Sequence, residues 1–374
     1  MSISAAVSPA PLPPPPLAGE GRVGGARSGL GAIAAWLFIC CAMIFLMVVV
    51  GGITRLTLSG LSITEWKPII GVVPPLSAAD WAGEFAKYKA IPEYGAVRFG
   101  MTLDEFKSIY FWEYAHRLLG RLIGVVFAAP FVWFLVRRRL PRQMVPPLCG
   151  ILLLGFAQGA LGWYMVESGL ADRIEVSQYR LVAHLALALA IYAAILWLAL
   201  GVIRAPAVAD PGPGWRWVAD VVLSFVAATM AGGGFTAGLR AGLTYNTFPL
   251  MDGRLMPAGY GLLQPFWRNW FENVAAVQFD HRLFALATAV LILLVWLAGQ
   301  HAGLPKPTRA ALHALLGLVA LQVTLGVSTL LLIVPVPLAA AHQAGAVLLL
   351  TAAIVFRHTL RRPRLMDAAA GATI

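Results

Sequence analysis

The sequence predicts an all-α polytopic membrane protein. Eight transmembrane helices are expected to form two tandem four-helix bundles, related by a pseudo-two-fold axis along the membrane normal. The 374 residues are 59% hydrophobic and only 12% charged, whereas a soluble domain carries about 25% charged residues. Eight apolar runs reach the roughly 20 residues that a helix needs to cross a bilayer. Histidine-containing motifs recur in the two halves of the chain, which indicates a repeat.

The apolar runs give the predicted spans and, with them, the predicted domains. The spans are 30–53, 112–136, 144–166, 179–203, 216–239, 276–299, 309–334 and 337–358. The domains are a disordered Pro/Gly-rich cytoplasmic tail (1–29), an N-terminal bundle (30–203), a cytoplasmic linker (204–215), a C-terminal bundle (216–358) and a basic cytoplasmic tail (359–374). The first tail contains PLPPPPLAGEGRVGGARSG, which lacks the apolar core of a signal peptide.

Basic residues in short connections predict the orientation. The net charge is +11, and arginine and lysine concentrate in alternate connections. One such connection holds Arg137, Arg138, Arg139 and Arg142. Cytoplasmic loops carry an excess of these residues, so both termini are expected on the cytoplasmic side of a bacterial inner membrane. The long loops 54–111 and 240–275 then lie outside, and their aromatic residues predict either an interfacial belt with turns or a lid.

Several features match when the sequences of the two halves are aligned. His116 falls on His281, each followed by Arg-Leu, and His184 falls on His342. Around them QGALG (158–162) aligns with QVTLG (322–326), and Gly51–Gly52 aligns with Gly232–Gly234. Because each half has an even number of spans, both halves should have the same orientation in the membrane.

The four paired histidines are the candidate functional residues. Each is expected one to two turns into a span that enters from the outer side, so all four should lie at a similar depth. Histidine within a membrane span is costly and usually functional, which leaves metal or haem ligation or a proton path. Two histidines on facing helices suit axial haem ligation, whereas a mononuclear metal needs three or four ligands. The sequence therefore favours iron ligation by His116, His184, His281 and His342.

Charged residues beside these histidines differ between the halves. Glu113 precedes His116 by three residues, whereas Gln278 stands at the matching position. A carboxylate in one half suits a chemical step that involves a proton or a developing positive charge. It also suits the start of a helix, and Asp280 reduces the contrast. Arg117 and Arg282 follow the first histidine of each pair, where they could contact haem propionates or act as interfacial anchors.

These residues carry a resemblance to the haem A synthase family of alphaproteobacteria and mitochondria, over about residues 30–360. It rests on the motifs GGITRLTLSGLSITEWKPIIGVVPPL, WEYAHRLLGR, QGALGWYMVESGL, LRAGLTYNTFPLMDG, FDHRL and AHQ. The resemblance implies oxidation of the C8 methyl group of haem O to a formyl group in two successive steps. The product would be haem A for cytochrome c oxidase.

The resemblance also implies residue roles. His281 and His342 would hold a haem b cofactor, and His116 and His184 would belong to the half that receives haem O. Glu113 matches the family's essential glutamate, and our hypothesis is that it stabilises positive charge or takes a proton during the oxidation. A haem O synthase is the expected partner, with cytochrome c oxidase assembly factors and a second copy of the chain as further candidates.

Two other functions remain open at the level of sequence. The first is a di-haem b membrane cytochrome that transfers electrons, and the second is a haem transporter or chaperone. The histidine pairs also pose a chemical question, because an iron with two imidazole ligands has no open position. Either a histidine leaves, or the haem is oxidised by another route.

Overall fold

The computed structural model describes residues 20–66, 70–172, 176–203 and 212–361. Over these residues the regular structure consists of α-helices and short 3-10 turns. The α-helices are α1 (Glu20–Leu56), α2 (Ala78–Lys89), α3 (Pro92–Val97), α4 (Leu103–Val136), α5 (Val145–Asp172), α6 (Gln178–Ile203), α7 (Pro213–Gly238), α8 (Asn269–Glu272), α9 (Val274–His301), α10 (Lys306–Leu331) and α11 (Val336–Thr359).

Eight of the helices in the described ranges are long and apolar enough to cross a membrane, namely α1, α4, α5, α6, α7, α9, α10 and α11. The predicted class, an all-α polytopic membrane protein, is therefore confirmed. The first helix differs from the prediction, because α1 begins at Glu20 and includes the last ten residues of the segment predicted as a disordered tail. Residues 1–19 and 362–374, which include the rest of both predicted tails, lie outside the described residues.

Helix α4 also begins earlier than predicted, at Leu103 instead of residue 112. A capping box explains the start: the Thr102 side chain accepts a hydrogen bond from the Glu105 backbone, and the Glu105 side chain accepts one from the Thr102 N–H at 2.8 Å. His116 therefore lies thirteen residues into its helix, whereas the other three histidines lie six or seven residues in. The added turns precede the predicted span, so the depth of His116 in the membrane stays a prediction.

The additional turns of α4 belong to a small core built from the loop between α1 and α4. Phe85 and Tyr88 of α2 pack against Phe106 and Tyr110 of α4, and Trp81 meets Tyr110 edge to face with ring centroids 5.0 Å apart. Burying aromatic rings in this way supplies the apolar contact that orders a loop outside the bundle. The loop aromatics thus form a packed layer beside α4, a structure that neither of the two predicted roles describes.

The membrane helices contact one another in the same pattern in each half. In the first half α1 packs on α4, α4 on α5, α5 on α6, and α6 back on α1. In the second half α7 packs on α9, α9 on α10, α10 on α11, and α11 back on α7. Between the halves α1 packs on α11, and α6 packs on α7. The pattern fits two four-helix bundles, while the pseudo-two-fold axis itself stays a prediction.

Apolar packing is densest away from the histidines. Leu37 and Ile195 are fully or almost fully buried in the first half, as are Leu312 and Phe356 in the second. All of these belong to one continuous core. The four histidine side chains are only partly covered. The bundles are therefore closely packed at one end and leave the histidine level less filled.

Candidate functional site

Each of the four histidines lies against a glycine of a neighbouring helix. A Cβ added to that glycine would stand 2.8 to 3.1 Å from the imidazole. The contacts are Gly51 with His116, Gly162 with His184, Gly233 with His281, and Gly326 with His342. Carbon atoms at optimal contact are about 3.5–4.0 Å apart, so a side chain at any of these positions would displace the ring. The glycines therefore form cradles for the four imidazoles.

The cradles join the helices in matching order. They connect α1 with α4 and α5 with α6 in the first half, and α7 with α9 and α10 with α11 in the second. The glycines occupy the positions that the alignment of the halves equates. We did not predict their contact with histidine. Its signal was present in the sequence, because Gly162 and Gly326 end the aligned QGALG and QVTLG motifs.

Within each half the two histidines come close enough to interact electrostatically, His116 with His184 and His281 with His342. The described part of the chain contains no group of three or more His, Cys, Asp or Glu side chains that could hold a metal ion. A pair of imidazoles suits haem iron, whereas a mononuclear zinc site normally takes three or four protein ligands.

Two further observations fit a planar group between the imidazoles. The Nδ1 atoms of His184 and His342 are buried without a hydrogen-bond partner, a condition that is rare unless a ligand or ordered water is involved. The glycine cradles also keep side chains away from the rings, as close approach of a large ligand requires. The four residues thus fit haem better than a single metal ion.

A glutamine supports the second histidine of each pair. Gln158 Nε2 donates to the His184 carbonyl at 3.1 Å, and Gln322 Nε2 donates to the His342 carbonyl at 2.9 Å. The two motifs align in the sequence, but we did not predict a role for these glutamines. Each stands four residues before a cradle glycine, a spacing that places both on one helix face.

Glu113 is buried, with 2% of its surface exposed, and both of its carboxylate oxygens are occupied. Oε2 accepts hydrogen bonds from the Ser62 hydroxyl at 2.7 Å and from the Ile63 N–H at 2.8 Å. Oε1 accepts from Arg117 Nη2 at 2.6 Å and from Nε at 3.0 Å. Glu113 therefore fastens the segment after α1 to helix α4 and pairs with the arginine that follows the histidine.

Arg117 contacts the same segment after α1. Its Nη2 donates to the Ile63 carbonyl at 2.9 Å and its Nη1 to the Glu65 carbonyl at 3.3 Å. Only 12% of the side chain is exposed, so it is not a freely solvated interfacial anchor. A propionate could reach this guanidinium only by competing with Glu113 and the two carbonyls.

Gln278 holds the segment after α7 in the second half, with the opposite hydrogen-bond polarity. Its Nε2 donates to the Ala241 carbonyl at 2.8 Å and to the Thr244 carbonyl at 2.6 Å. Its Oε1 accepts from Arg282 Nη2 at 3.2 Å. The first half presents donors to a carboxylate, and the second half presents acceptors to an amide. The exchange of glutamate for glutamine thus matches the hydrogen-bonding groups of each loop.

Arg282 and Asp280 contact the loop between α7 and α9 in the second half. Arg282 donates to the Tyr245 carbonyl at 2.6 Å and to the Thr247 carbonyl at 2.9 Å. Asp280 accepts a hydrogen bond from the Tyr260 hydroxyl at 2.9 Å, and so faces a loop residue. The pairs Glu113–Arg117 and Gln278–Arg282 therefore have the same placement in the two halves. Both members are charged only in the first half.

The fold and the paired histidines define a class, that of polytopic helical membrane proteins with a pair of histidines in each half. Comparison with known proteins gives the particular family. Residues 34–354 match the family described as "Cytochrome oxidase assembly protein". The chain belongs to this family.

Several similar proteins are called "Heme A synthase". The chain is 53% identical to that of Nitrosospira multiformis over 333 residues, which cover 88% of this chain and 94% of the relative. It is 52% identical to that of Nitrosomonas eutropha over 326 residues, covering 86% and 92%. It is 50% identical to that of Rhodospirillum centenum over 334 residues, covering 89% of each. The family that the motifs indicated is thereby confirmed.

Proposed function

We propose that this protein is a haem A synthase, which oxidises the C8 methyl group of haem O to the formyl group of haem A for cytochrome c oxidase. The observation that carries the proposal is the set of two histidine pairs, each cradled by glycines, with a buried carboxylate beside the first pair. The names of the relatives and the shared family support the same activity.

In this proposal the second half holds a resident cofactor. His281 and His342 would ligate the iron of haem b, and Gln322 would fix the backbone that carries His342. When bound, haem b supplies one-electron redox chemistry. The second half has no carboxylate at the Glu113 position, so nothing there corresponds to the acid of the first half.

The first half would receive haem O as substrate, with His116 and His184 as the groups that orient its iron. Glu113 and Arg117 lie on α4, and in the proposed orientation they would face the outer side of this half. Arg117 would meet a propionate of the incoming haem, and in doing so would loosen its contacts with Glu113. The released carboxylate would then stabilise positive charge or accept a proton as the methyl group is oxidised.

The surroundings of the protein are proposed from the same reasoning. The eight apolar helices make it a multi-pass membrane protein, and the basic connections favour a bacterial inner membrane with both termini in the cytoplasm. Both histidine pairs would then lie toward the outer side. A haem O synthase would supply the substrate, and assembly factors of cytochrome c oxidase would take the product.

A di-haem b electron-transfer cytochrome is the second candidate. The observation in its favour is the likeness of the two histidine cradles, which would suit two equivalent haems. It gives no reason for a buried Glu113–Arg117 ion pair in only one of two equivalent sites.

The decisive experiment is identification by mass of the haems extracted from purified protein made together with a source of haem O. We expect haem A or its alcohol intermediate from the native protein, and unconverted haem O from the Glu113→Gln variant. Because removing one partner of a buried ion pair costs about 3–5 kcal/mol, the thermal stability of the variant is measured in parallel.

A matched control separates folding from chemistry. Ser62→Ala removes one hydrogen bond to Glu113 but leaves the carboxylate and Arg117 in place, so it should lose about 1 kcal/mol of stability and retain conversion. Haem b alone in the native protein, with no haem A or alcohol, would favour the electron-transfer cytochrome. Unaltered haem O that exchanges freely would favour a haem carrier.

A further inference from the structure

A pair of threonines near His281 has no counterpart near His116. Thr229 on α7 and Thr288 on α9 have hydroxyl oxygens 2.8 Å apart, and Thr288 is 2% exposed. Each hydroxyl also lies within hydrogen-bond distance of the carbonyl four residues earlier, at 2.8 Å for Thr229 and 2.7 Å for Thr288. The pair therefore ties α7 to α9 within two turns of the histidine.

The same threonine supplies a carbonyl to the histidine ring. His281 Nδ1 lies 3.2 Å from the Thr229 carbonyl oxygen, and a protonated Nδ1 donates to it. That bond fixes the tautomer in which Nε2 is the free nitrogen, and it fixes the orientation of the ring. Ligating histidines commonly carry such a partner on their second nitrogen, and its removal typically weakens metal binding.

The matching positions of the first half are apolar. Met47 precedes Gly51 by four residues, as Thr229 precedes Gly233, and Ile123 follows His116 by seven, as Thr288 follows His281. Neither side chain has a hydroxyl group.

The His116 ring has no hydrogen-bond partner among the described residues. It also faces its glycine with the Nε2–Cδ2 edge, at 3.1 and 3.3 Å from the added Cβ, whereas His281 presents Cε1 at 3.0 Å. The two rings thus present different atoms to equivalent glycines, and only the His281 ring has a hydrogen-bond partner among the described residues.

We propose that Thr229 and Thr288 are positioning residues that hold His281 as a permanent iron ligand, whereas Met47 and Ile123 leave His116 free to leave the iron of the substrate haem. The inference rests on the proposed function, since it assigns the resident haem to the second half. An iron with two imidazole ligands has no open coordination position. Release of His116 would open one in the half where oxidation occurs, and the threonine pair would prevent release of His281 in the other half.

The first test measures carbon monoxide binding to reduced holo-protein made without a haem O source, so that only resident haem is present. Carbon monoxide binds to a bis-histidine haem only when a histidine leaves. Thr288→Val keeps the side-chain shape and removes the hydroxyl. Loss of a hydrogen bond of ordinary strength should raise the carbon monoxide-reactive fraction on the order of fivefold. Thr288→Ser keeps a hydroxyl and should restore the native value.

Thr351→Val is the matched control. It removes a partly buried threonine hydroxyl that lies 2.7 Å from the Tyr192 hydroxyl at the interface between the halves, nine residues from His342 on the same helix. We expect carbon monoxide binding like that of the native protein. Equal carbon monoxide binding by Thr288→Val and Thr351→Val would overturn the inference.

Introducing threonines into the first half tests the same inference from the other side. It remains a test even if the Thr288→Val variant does not retain haem. The double variant Met47→Thr, Ile123→Thr places the hydroxyl pair beside His116. With haem O bound, the carbon monoxide-reactive fraction of that haem should fall on the order of fivefold. An unchanged fraction would overturn the inference.

Carbon monoxide binding tests the role of the threonines, and conversion of haem O tests the proposed function, so the two claims can fail separately. Native carbon monoxide binding in every variant, together with normal conversion of haem O, would refute the role of the threonines alone. The expected carbon monoxide pattern without any haem A would refute the proposed function and leave the role of the threonines in place.

Discussion

Replacing Gly326 with alanine should weaken haem binding by the second half while leaving the helix itself intact. The added Cβ would stand 2.8 Å from His342 Cε1, and normal contact is about 3.5 Å or more. The ring would therefore have to move by roughly 0.7 Å. The backbone beneath the ring is held by Gln322, so the imidazole cannot follow as a rigid unit with its helix.

The expected magnitude follows from the cost of overpacking. Inserting a methyl group into a well-packed site typically costs about 1–3 kcal/mol, which corresponds to a loss of roughly 5- to 150-fold in affinity. In the apo-protein the partly covered ring can move aside, and alanine is a better helix former than glycine by about 1 kcal/mol, which offsets part of the overpacking. Haem affinity should thus fall by more than the stability of the apo-protein does.

The assay is titration of haem b into apo-protein, read by absorbance, with Gly317→Ala as control. Gly317 lies on the same helix and has no neighbouring atom within 4 Å of an added Cβ, so this variant should bind haem as the native protein does. Equal affinities for the Gly326→Ala and Gly317→Ala variants would refute the reasoning that the glycine makes room for the histidine.

Two further predictions concern the contact between the halves. Gln343 Nε2 donates to the Val48 carbonyl at 2.9 Å, so Gln343→Leu should lower the free energy of unfolding by about 1 kcal/mol, measured by thermal unfolding; an unchanged stability would contradict this. Arg268 lowers the pKa of Glu272, which also accepts a hydrogen bond from the Tyr179 hydroxyl at 2.9 Å. The resulting stability is present above the ordinary glutamate pKa of 4.5 and is lost as pH falls through the lowered folded-state value. The stability difference between the native protein and Tyr179→Phe should therefore shrink in acid, and a difference independent of pH would contradict the assignment.

Much of the architecture could be predicted from the sequence because the membrane restricts the choices. Each span must be a helix of a certain length, and the repeat fixes which histidines correspond. The eight spans and the correspondence of His116 with His281 and of His184 with His342 follow from these constraints. The extended α4 did not follow, because its start depends on a capping box and an aromatic core in a loop.

The local chemistry of the site was harder to predict. The contrast between Glu113 and Gln278 was visible in the sequence. The loop groups that bond to these two side chains, however, lie more than thirty residues away along the chain. Which loop offers donors and which offers acceptors depends on backbone conformation, which the residue types do not specify. The contact of Gly326 with a histidine was indicated by the aligned motifs. Both motifs have a glycine four residues after a glutamine, and a glycine at matching positions indicates that another group packs closely against it.

The central claim is that one framework of paired histidines serves two different purposes in the two halves. It is tested most directly by the haem content and haem identity of four single variants, made together with a haem O source: His116→Ala, His184→Ala, His281→Ala and His342→Ala. Variants at His281 and His342 should lose the resident haem b. Variants at His116 and His184 should retain it and yield no haem A. Loss of haem b from all four variants alike, or haem A from the His116 and His184 variants, would contradict the division of roles.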